Sequence, residues 1–133
     1  MGGPARHDDA PRGLRAAHIL VLEDSFLILM ELEAILLDAG ADAVWTCRNV
    51  TEALRALAEH EQDVAVAILD LQLDGTSSMP VARALSARGV PFFFYTGQLD
   101  TRSVRAEWPE CLVVSKPAAP QKIVETVASL VAV

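Results

Sequence analysis

The stretch Val64-Ala65-Val66-Ala67-Ile68-Leu69-Asp70 decides the fold of this chain. Six apolar residues run without interruption into one carboxylate. A continuous apolar run of this length is typical of a strand that is buried on both faces of a parallel sheet. Asp70 then lies at the carboxyl end of that strand, where ligand sites of open α/β sheets gather. We therefore expect the rest of the chain to position this carboxylate.

Apolar strand patterns alternate with helical patterns on both sides of this stretch. Strands are predicted at residues 18–22, 43–46, 64–70, 90–95 and 111–115. Helices are predicted at residues 26–39, 49–61, 79–88, 99–108 and 120–131. Short αβ repeats of this kind indicate an α/β fold, a five-stranded parallel sheet with helices on both faces. Right-handed crossovers bring the carboxyl ends of all five strands to one edge.

The strength of these patterns varies along the chain. Residues 1–17 are rich in Gly, Pro, Ala and charge, so they are predicted to be a disordered arm before one domain at residues 18–133. Residues 71–78 are predicted to be a loop in which Gly75 takes an unusual backbone angle. The helix at 99–108 has few apolar residues and is expected to be short or mobile. In the first helix the predicted buried side includes Phe26, Leu29, Met30, Glu33 and Leu37, widened by Leu32, Ile35 and Leu36.

Charge and composition exclude several classes of protein. The formal net charge of −7 disfavours nucleic acid and anionic membrane as partners, since both require a concentrated basic surface. No apolar run approaches the ~20 residues of a membrane span, and no signal peptide is visible. Cys47 and Cys111 lie far apart without a CxxC motif, which favours two free thiols in a reducing compartment. The sequence therefore predicts a cytoplasmic protein.

Polar residues that follow the predicted strands converge at one edge of the sheet. They are Glu23 and Asp24 after the first strand, Asp70, Thr96 after the fourth, and Lys116 after the fifth. Carboxylates roughly 5 Å apart repel by about 3 kcal/mol per pair at an effective dielectric constant near 20. A divalent cation relieves that repulsion, and hard oxygen ligands suit Mg²⁺ or Mn²⁺ better than zinc.

These residue types also fit phosphoryl chemistry. An aspartate such as Asp70 can act as a nucleophile and form an acyl phosphate. A metal held by the acidic pair and the fixed ammonium of Lys116 would neutralise the phosphoryl oxygens. Thr96 can donate its hydroxyl to one of those oxygens, and Gly97 leaves room beside it. The sequence thus predicts a site for phosphate and a divalent metal.

The combination resembles the receiver domain of bacterial two-component response regulators, over residues 19–133. The resemblance rests on Glu23-Asp24, Asp70, Thr96-Gly97 and Lys116-Pro117. It implies a flavodoxin-like (βα)5 fold in which Asp70 accepts a phosphoryl group from a sensor histidine kinase. It also implies Mg²⁺ ligation by Asp24, Asp70 and the backbone carbonyl of Gln72, with Glu23 helping directly or through water.

The resemblance implies further roles for neighbouring residues. Thr96 moves toward the phosphoryl group and drags its loop, and the Lys116–Pro117 peptide is usually cis. Gln72 and Gln98 occupy positions that tune hydrolysis of the acyl phosphate. Because amides orient water but are poor bases, we expect moderate autodephosphorylation rather than loss of the label within seconds.

Two positions depart from the common pattern of the family. Asp74 stands where many receivers have proline, and Val113 stands where the family has a switch aromatic. The motif Pro91-Phe92-x-Phe94-x-Thr96-Gly97 resembles an alphaproteobacterial subgroup of stand-alone receivers that also lacks the aromatic. That subgroup often works with kinases of the HWE or HisKA2 type.

Three functions remain open from the sequence. The first is a single-domain phosphoacceptor without a DNA-binding output, which binds an unknown downstream protein and is not a turnover enzyme. The second is a haloacid-dehalogenase-like phosphatase, disfavoured because that family needs a second acid where this chain has Gln72. The third is a pseudo-receiver that only docks to partners, disfavoured because the five site residues are all present.

Overall fold

A computed structural model of the protein describes residue 14, residues 17–60 and residues 62–131. The strands are β1 (His18–Leu22), β2 (Ala43–Cys47), β3 (Val64–Leu69), β4 (Gln72–Leu73), β5 (Thr76–Ser77), β6 (Phe92–Thr96) and β7 (Val113–Ser115). The helices are α1 (Phe26–Asp38), α2 (Val50–Glu59), α3 (Met79–Ala87), α4 (Arg102–Glu107) and α5 (Pro120–Val131). Among these residues no helix is long and apolar enough to cross a membrane.

Five strands form one parallel sheet in the order β2-β1-β3-β6-β7. The apolar strand β3 lies at its centre, where Ile68 is in register with Val21 on one side and Phe93 on the other. The predicted α/β fold with a five-stranded parallel sheet is therefore confirmed. The chain leaves β1 toward one edge of the sheet and later returns on its other side, so the carboxyl ends of β1 and β3 lie side by side at the switch point.

Both faces of the central strand are buried, which explains its unbroken apolar sequence. Val66 and Ile68 belong to the core on the side of α1 and α5. Ala67 and Leu69 belong to the core on the side of α2, α3 and α4. Since side chains alternate across a strand, an apolar residue is needed at every position.

Residues 71–78 contain a short antiparallel hairpin, so the prediction of a plain loop is wrong there. Leu73 of β4 pairs with Thr76 of β5 across a two-residue turn. Both turn residues have positive φ, +37° at Asp74 and +83° at Gly75. Asp-Gly is the sequence signal for this turn type, and the unusual angle predicted for Gly75 is confirmed.

The helix after Thr96 is shorter than its predicted range of 99–108. It spans only Arg102–Glu107, and Val104 is its one buried residue. Thr101 precedes it without a side-chain capping hydrogen bond. The two neighbouring strands also start later than predicted, β6 at Phe92 and β7 at Val113.

In α1 the buried side differs from the prediction. Leu29, Leu32 and Leu36 are buried, whereas Phe26, Met30 and Leu37 are exposed. Ten of the thirteen residues of this helix are apolar, so the sequence alone gives only a narrow polar side to orient it.

The predicted arm at residues 1–17 lies largely outside the described residues. Two of its positions, Leu14 and Ala17, are described, and both are buried in the core beside α1. The N–H of Ala17 donates to the carbonyl of Leu14 at 3.1 Å, and its own carbonyl accepts from Asp42 at 2.9 Å. The packed structure therefore includes these two positions before the predicted start at residue 18.

Candidate functional site

Three carboxylates meet at the carboxyl edge of the sheet. Glu23 and Asp24 directly follow β1, and Asp70 directly follows β3. Backbone hydrogen bonds fix two of them to neighbouring strands, from the Glu23 N–H to Cys47 at 3.0 Å and from the Asp70 N–H to Leu22 at 2.9 Å. One oxygen from each carboxylate lies within 4.8 Å of the others. Glu23 is 2% exposed and Asp70 is 7% exposed, so most of this charge is sheltered from water.

Lys116 bridges two of these carboxylates. Its Nζ lies 2.7 Å from Glu23 Oε1 and 2.9 Å from Asp70 Oδ2. The directed hydrogen bond is the one it donates to Asp70. Glu23 Oε2 accepts a hydrogen bond from the Ser25 N–H at 3.0 Å. Glu23 Oε1 accepts no hydrogen bond of good geometry from the described residues, although the ammonium is beside it.

Burial and neighbouring charge shift the pKa values of Glu23 and Lys116. Burial raises the pKa of Glu23, and the charge of Asp70 raises it further, against the opposing effects of Lys116 and the Ser25 N–H. Burial lowers the pKa of Lys116, but its contacts with Glu23 and Asp70 outweigh that effect, so the net shift is upward. Lys116 is therefore a fixed positive charge at neutral pH.

The donor set fits a hard divalent cation. Three carboxylates against one ammonium leave two formal negative charges in the cluster. Asp24 is half-buried and forms no ion pair or side-chain hydrogen bond with another described residue, so its oxygens are available. Carboxylate oxygens grouped in this way match the ligand preference of Mg²⁺.

Thr96 lies next to Lys116 at the end of β6. Its carbonyl accepts a hydrogen bond from the Lys116 N–H at 3.0 Å, and its Oγ1 accepts one from the Gln98 N–H at 3.1 Å. The Thr96 side chain is buried, and its hydroxyl proton can still donate. The space beside Gly97 is open, because a Cβ there would meet no atom within 4 Å.

The remaining predicted residues surround this cluster. The Lys116–Pro117 peptide is cis. Gln72 lies on the exposed part of the β4–β5 hairpin, two residues past Asp70, and Gln98 is exposed after Gly97. Neither amide side chain forms a hydrogen bond within the described part of the chain.

Two residues near the site were missed by the sequence analysis. Arg48 follows β2 at the same edge and lines a cleft of about 500 Å³ together with Asp24 and Asp74. The other site residues were selected because they follow a strand at the carboxyl edge, and the same rule applied to β2 would have selected Arg48. Tyr95 precedes Thr96, and its hydroxyl accepts a hydrogen bond from the Ala118 N–H. No sequence signal distinguishes Tyr95 from the apolar core residues beside it.

Residues 19–128 match the family model of the response regulator receiver domain. The chain belongs to this family. The receiver is 32% identical over 122 residues to the phyllosphere-induced regulator PhyR of Methylorubrum extorquens. That match covers 87% of this chain but only 45% of PhyR, so the receiver spans less than half of its relative. The PhyR match fits the alphaproteobacterial subgroup that the motif resembles.

Solved structures support the same fold. SdrG from Pseudomonas melonis Fr1, in a BeF3-activated conformation, is 34% identical with a TM-score of 0.71. The match covers 88% of this chain and 98% of SdrG. A receiver domain protein from Clostridium thermocellum has a TM-score of 0.78 at 24% identity, covering 87% of this chain and 94% of that one. At that identity the second likeness shows the fold alone.

Proposed function

We propose that this receiver accepts a phosphoryl group on Asp70 and thereby changes its binding to a downstream protein. The observation that carries the proposal is the position of Lys116, whose ammonium bridges Glu23 and Asp70 in a cluster of three carboxylates. A fixed cation touching the acceptor carboxylate is what a transferred phosphoryl group requires, because its oxygens carry the charge that must be neutralised.

The proposed reaction is a transfer from a phosphohistidine of a sensor histidine kinase. An oxygen of Asp70 attacks phosphorus, the P–N bond to the histidine breaks, and the imidazole leaves with the bonding electrons. The product is an acyl phosphate on Asp70. Lys116 pairs with one phosphoryl oxygen, and the buried Thr96 hydroxyl donates to another.

Glu23, Asp24 and Asp70, with the backbone carbonyl of Gln72, are the proposed ligands of Mg²⁺. When bound, the ion supplies charge neutralisation for the incoming phosphoryl oxygens. The residues around the acidic cluster provide the pocket. The Ser25 side chain caps α1, and the Ser25 backbone N–H donates to Glu23, so the acidic turn after β1 is fixed in place. Mn²⁺ has the same ligand preference and is expected to substitute.

The 34% identity to SdrG supports this proposal, since SdrG has a BeF3-activated conformation. We infer that a cytoplasmic sensor kinase of the HWE or HisKA2 type is the donor. One aspartate takes one phosphoryl group, so the reaction is stoichiometric and self-limited rather than a multiple turnover. The downstream partner is a protein that distinguishes the two states of the segment after Thr96.

The test is phosphorylation by acetyl phosphate in the presence of Mg²⁺, followed by intact mass. The wild type is expected to gain one phosphoryl group, and Asp70→Asn is expected to gain none. Asp74→Asn is the matched control, because Asp74 is an exposed turn residue and asparagine also adopts its positive φ. This control is expected to react like the wild type.

Other outcomes would select another function. If the wild type gains no mass and its spectra do not change with BeF3 and Mg²⁺, the pseudo-receiver explanation replaces the proposal. If it hydrolyses generic phosphate esters through many turnovers, it is a phosphatase. A gain of one phosphoryl group by Asp70→Asn would mean that the acceptor is another residue.

A further inference from the structure

Tyr95 lies one residue before the end of β6, in register with Val114 of the neighbouring strand β7. It precedes Thr96 on β6 and is buried in the core on the side of α1 and α5. Its position is one of the two variable places in the PFxFxTG motif. Because the motif leaves this residue free, its contacts are a property of this chain and not of the pattern that the subgroup shares.

The hydroxyl of Tyr95 holds the segment that follows Lys116. It accepts a hydrogen bond from the Ala118 N–H at 3.1 Å. Pro117 has no N–H, so Ala118 offers the first backbone donor after Lys116. On the other side, the Lys116 N–H donates to Thr96 at 3.0 Å. Consecutive residues of β6 therefore hold the chain immediately before and after the Lys116 side chain.

The ring of Tyr95 also faces the ammonium group. Lys116 Nζ lies 5.8 Å from the ring centroid, within the range of a cation–π contact. The Lys116 side chain is 17% exposed, so this contact is partly sheltered from water. Val113, at the usual place of the family aromatic, belongs to the opposite core with α2, α3 and α4 and is not part of this contact.

We propose that Tyr95 is a positioning residue for the phosphoryl site. Through its hydrogen bond with Ala118 and through the face of its ring, Tyr95 sets the position of Lys116 Nζ relative to the group carried by Asp70. The inference rests on the proposed function, since it concerns the lysine that binds the phosphoryl oxygens. Tyr95 does not touch the reacting atoms itself.

The test is the affinity for BeF3 at saturating Mg²⁺ in wild type and Tyr95→Phe, followed by amide chemical shifts. Phenylalanine keeps the ring and removes only the acceptor, so the fold is expected to persist. Loss of one hydrogen bond that orients the lysine is expected to weaken binding about three- to tenfold. The matched control is Thr126→Val, which removes another buried hydroxyl bonded within α5 and is expected to bind like the wild type.

A double-mutant cycle separates positioning from a merely structural role. Lys116→Arg keeps the charge but changes its shape and reach, so adding Tyr95→Phe to it is expected to change the affinity less than twofold. If the Lys116→Arg variants bind BeF3 too weakly to titrate, the initial rate of phosphorylation by acetyl phosphate supplies the same cycle. An equal loss in both backgrounds would overturn the proposal, as would Tyr95→Phe binding within twofold of wild type. A wild type that does not respond to BeF3 would instead contradict the proposed function.

Discussion

The Lys116 cluster and the segment of residues 97–108 both contain ion pairs, but the two regions differ in burial. Lys116 is 17% exposed and meets Glu23, which is 2% exposed. In the segment, Arg102 pairs with Asp100 while 90% exposed. Water and salt screen the exposed pair, so it adds little to stability, whereas the buried charges hold one another in place. The charged cluster around Lys116 is preorganised, and the segment after Thr96 is not.

The segment is attached mainly at its far end. Val104 is buried, and Trp108 packs edge-on against Phe92 with ring centroids 5.3 Å apart. Close to Thr96, by contrast, residues 97–100 are all exposed, and Leu99 is 99% exposed. A segment that is packed at its far end and exposed beside the site can change conformation at small energetic cost.

Replacing Lys116 is expected to have the largest effect on stability, because it removes the cation from the preorganised cluster. Lys116→Met leaves Glu23 and Asp70 without their cation, and we expect the free energy of unfolding to fall by about 2–3 kcal/mol without metal. Mg²⁺ is expected to restore part of that loss by binding the uncompensated carboxylates. Urea unfolding with and without Mg²⁺ measures both effects.

Lys122→Met is the matched control for that experiment. Lys122 is the other lysine of the chain and lies exposed on α5. Its replacement is expected to change the free energy of unfolding by less than about 0.5 kcal/mol. Equal losses for the two variants would mean that the buried cluster does not contribute more than a surface charge.

Trimming one buried valine in α4 and one in the core on α5 tests how firmly the segment of residues 97–108 is attached. Val104 in α4 and Val127 in α5 are both 0% exposed. Val127→Ala is expected to lower the global free energy of unfolding by about 1–2 kcal/mol. Val104→Ala is expected to act locally, with amide exchange at residues 101–108 about tenfold faster and little change in global unfolding.

The wild type provides the reference for this pair of variants. Amides at residues 97–103 are expected to exchange fastest among the helices and loops between β1 and α5, and those of β3 slowest. Exchange after Thr96 as slow as in β3, or a global loss from Val104→Ala equal to that from Val127→Ala, would remove the distinction between the two regions.

The sequence predicts the Lys116 cluster better than the segment of residues 97–108, for a physical reason. Strand-end residues are fixed by topology, so Glu23, Asp70 and Lys116 could be placed together before any coordinates. The extent of α4 depends on weak local contacts, and a six-residue helix with one buried residue has no strong periodic signal. The contact of Tyr95 with Ala118 joins residues 23 apart in the chain, and no sequence pattern indicates that pairing.

Removing one negative charge is expected to have a smaller, stabilising effect on the preorganised region. Asp24→Asn relieves repulsion among the carboxylates, so without metal the free energy of unfolding is expected to rise by about 1 kcal/mol. The variant is also expected to lose most of the stabilisation that Mg²⁺ gives to wild type. Asp63→Asn, at an exposed loop residue, is the control expected to change neither value. Destabilisation by Asp24→Asn would contradict the repulsion argument.

The two cysteines offer the smallest test, since one lies near each region. Burial raises the pKa of Cys47, at the end of β2, to about 12. Cys111 donates its N–H to the carbonyl of Trp108. Burial raises the pKa of the Cys111 thiol to about 11, although Arg105 opposes the shift. Only thiolate reacts with alkylating reagents, so at pH 8 the native protein should label about tenfold more slowly at Cys47 than at Cys111.

The pH dependence of stability follows from the same shifts. The native thiols keep their protons above the ordinary pKa of 9.0, so their contribution to the free energy of unfolding is full below pH 9. It is lost as the pH rises through about 11 and then about 12, because the unfolded chain ionises first. Cys47→Ala is expected to flatten the upper part of this decline relative to Cys111→Ala. Faster labelling at Cys47 than at Cys111 would mean that the carboxyl edge beside β2 opens more readily than α4, which would reverse the comparison.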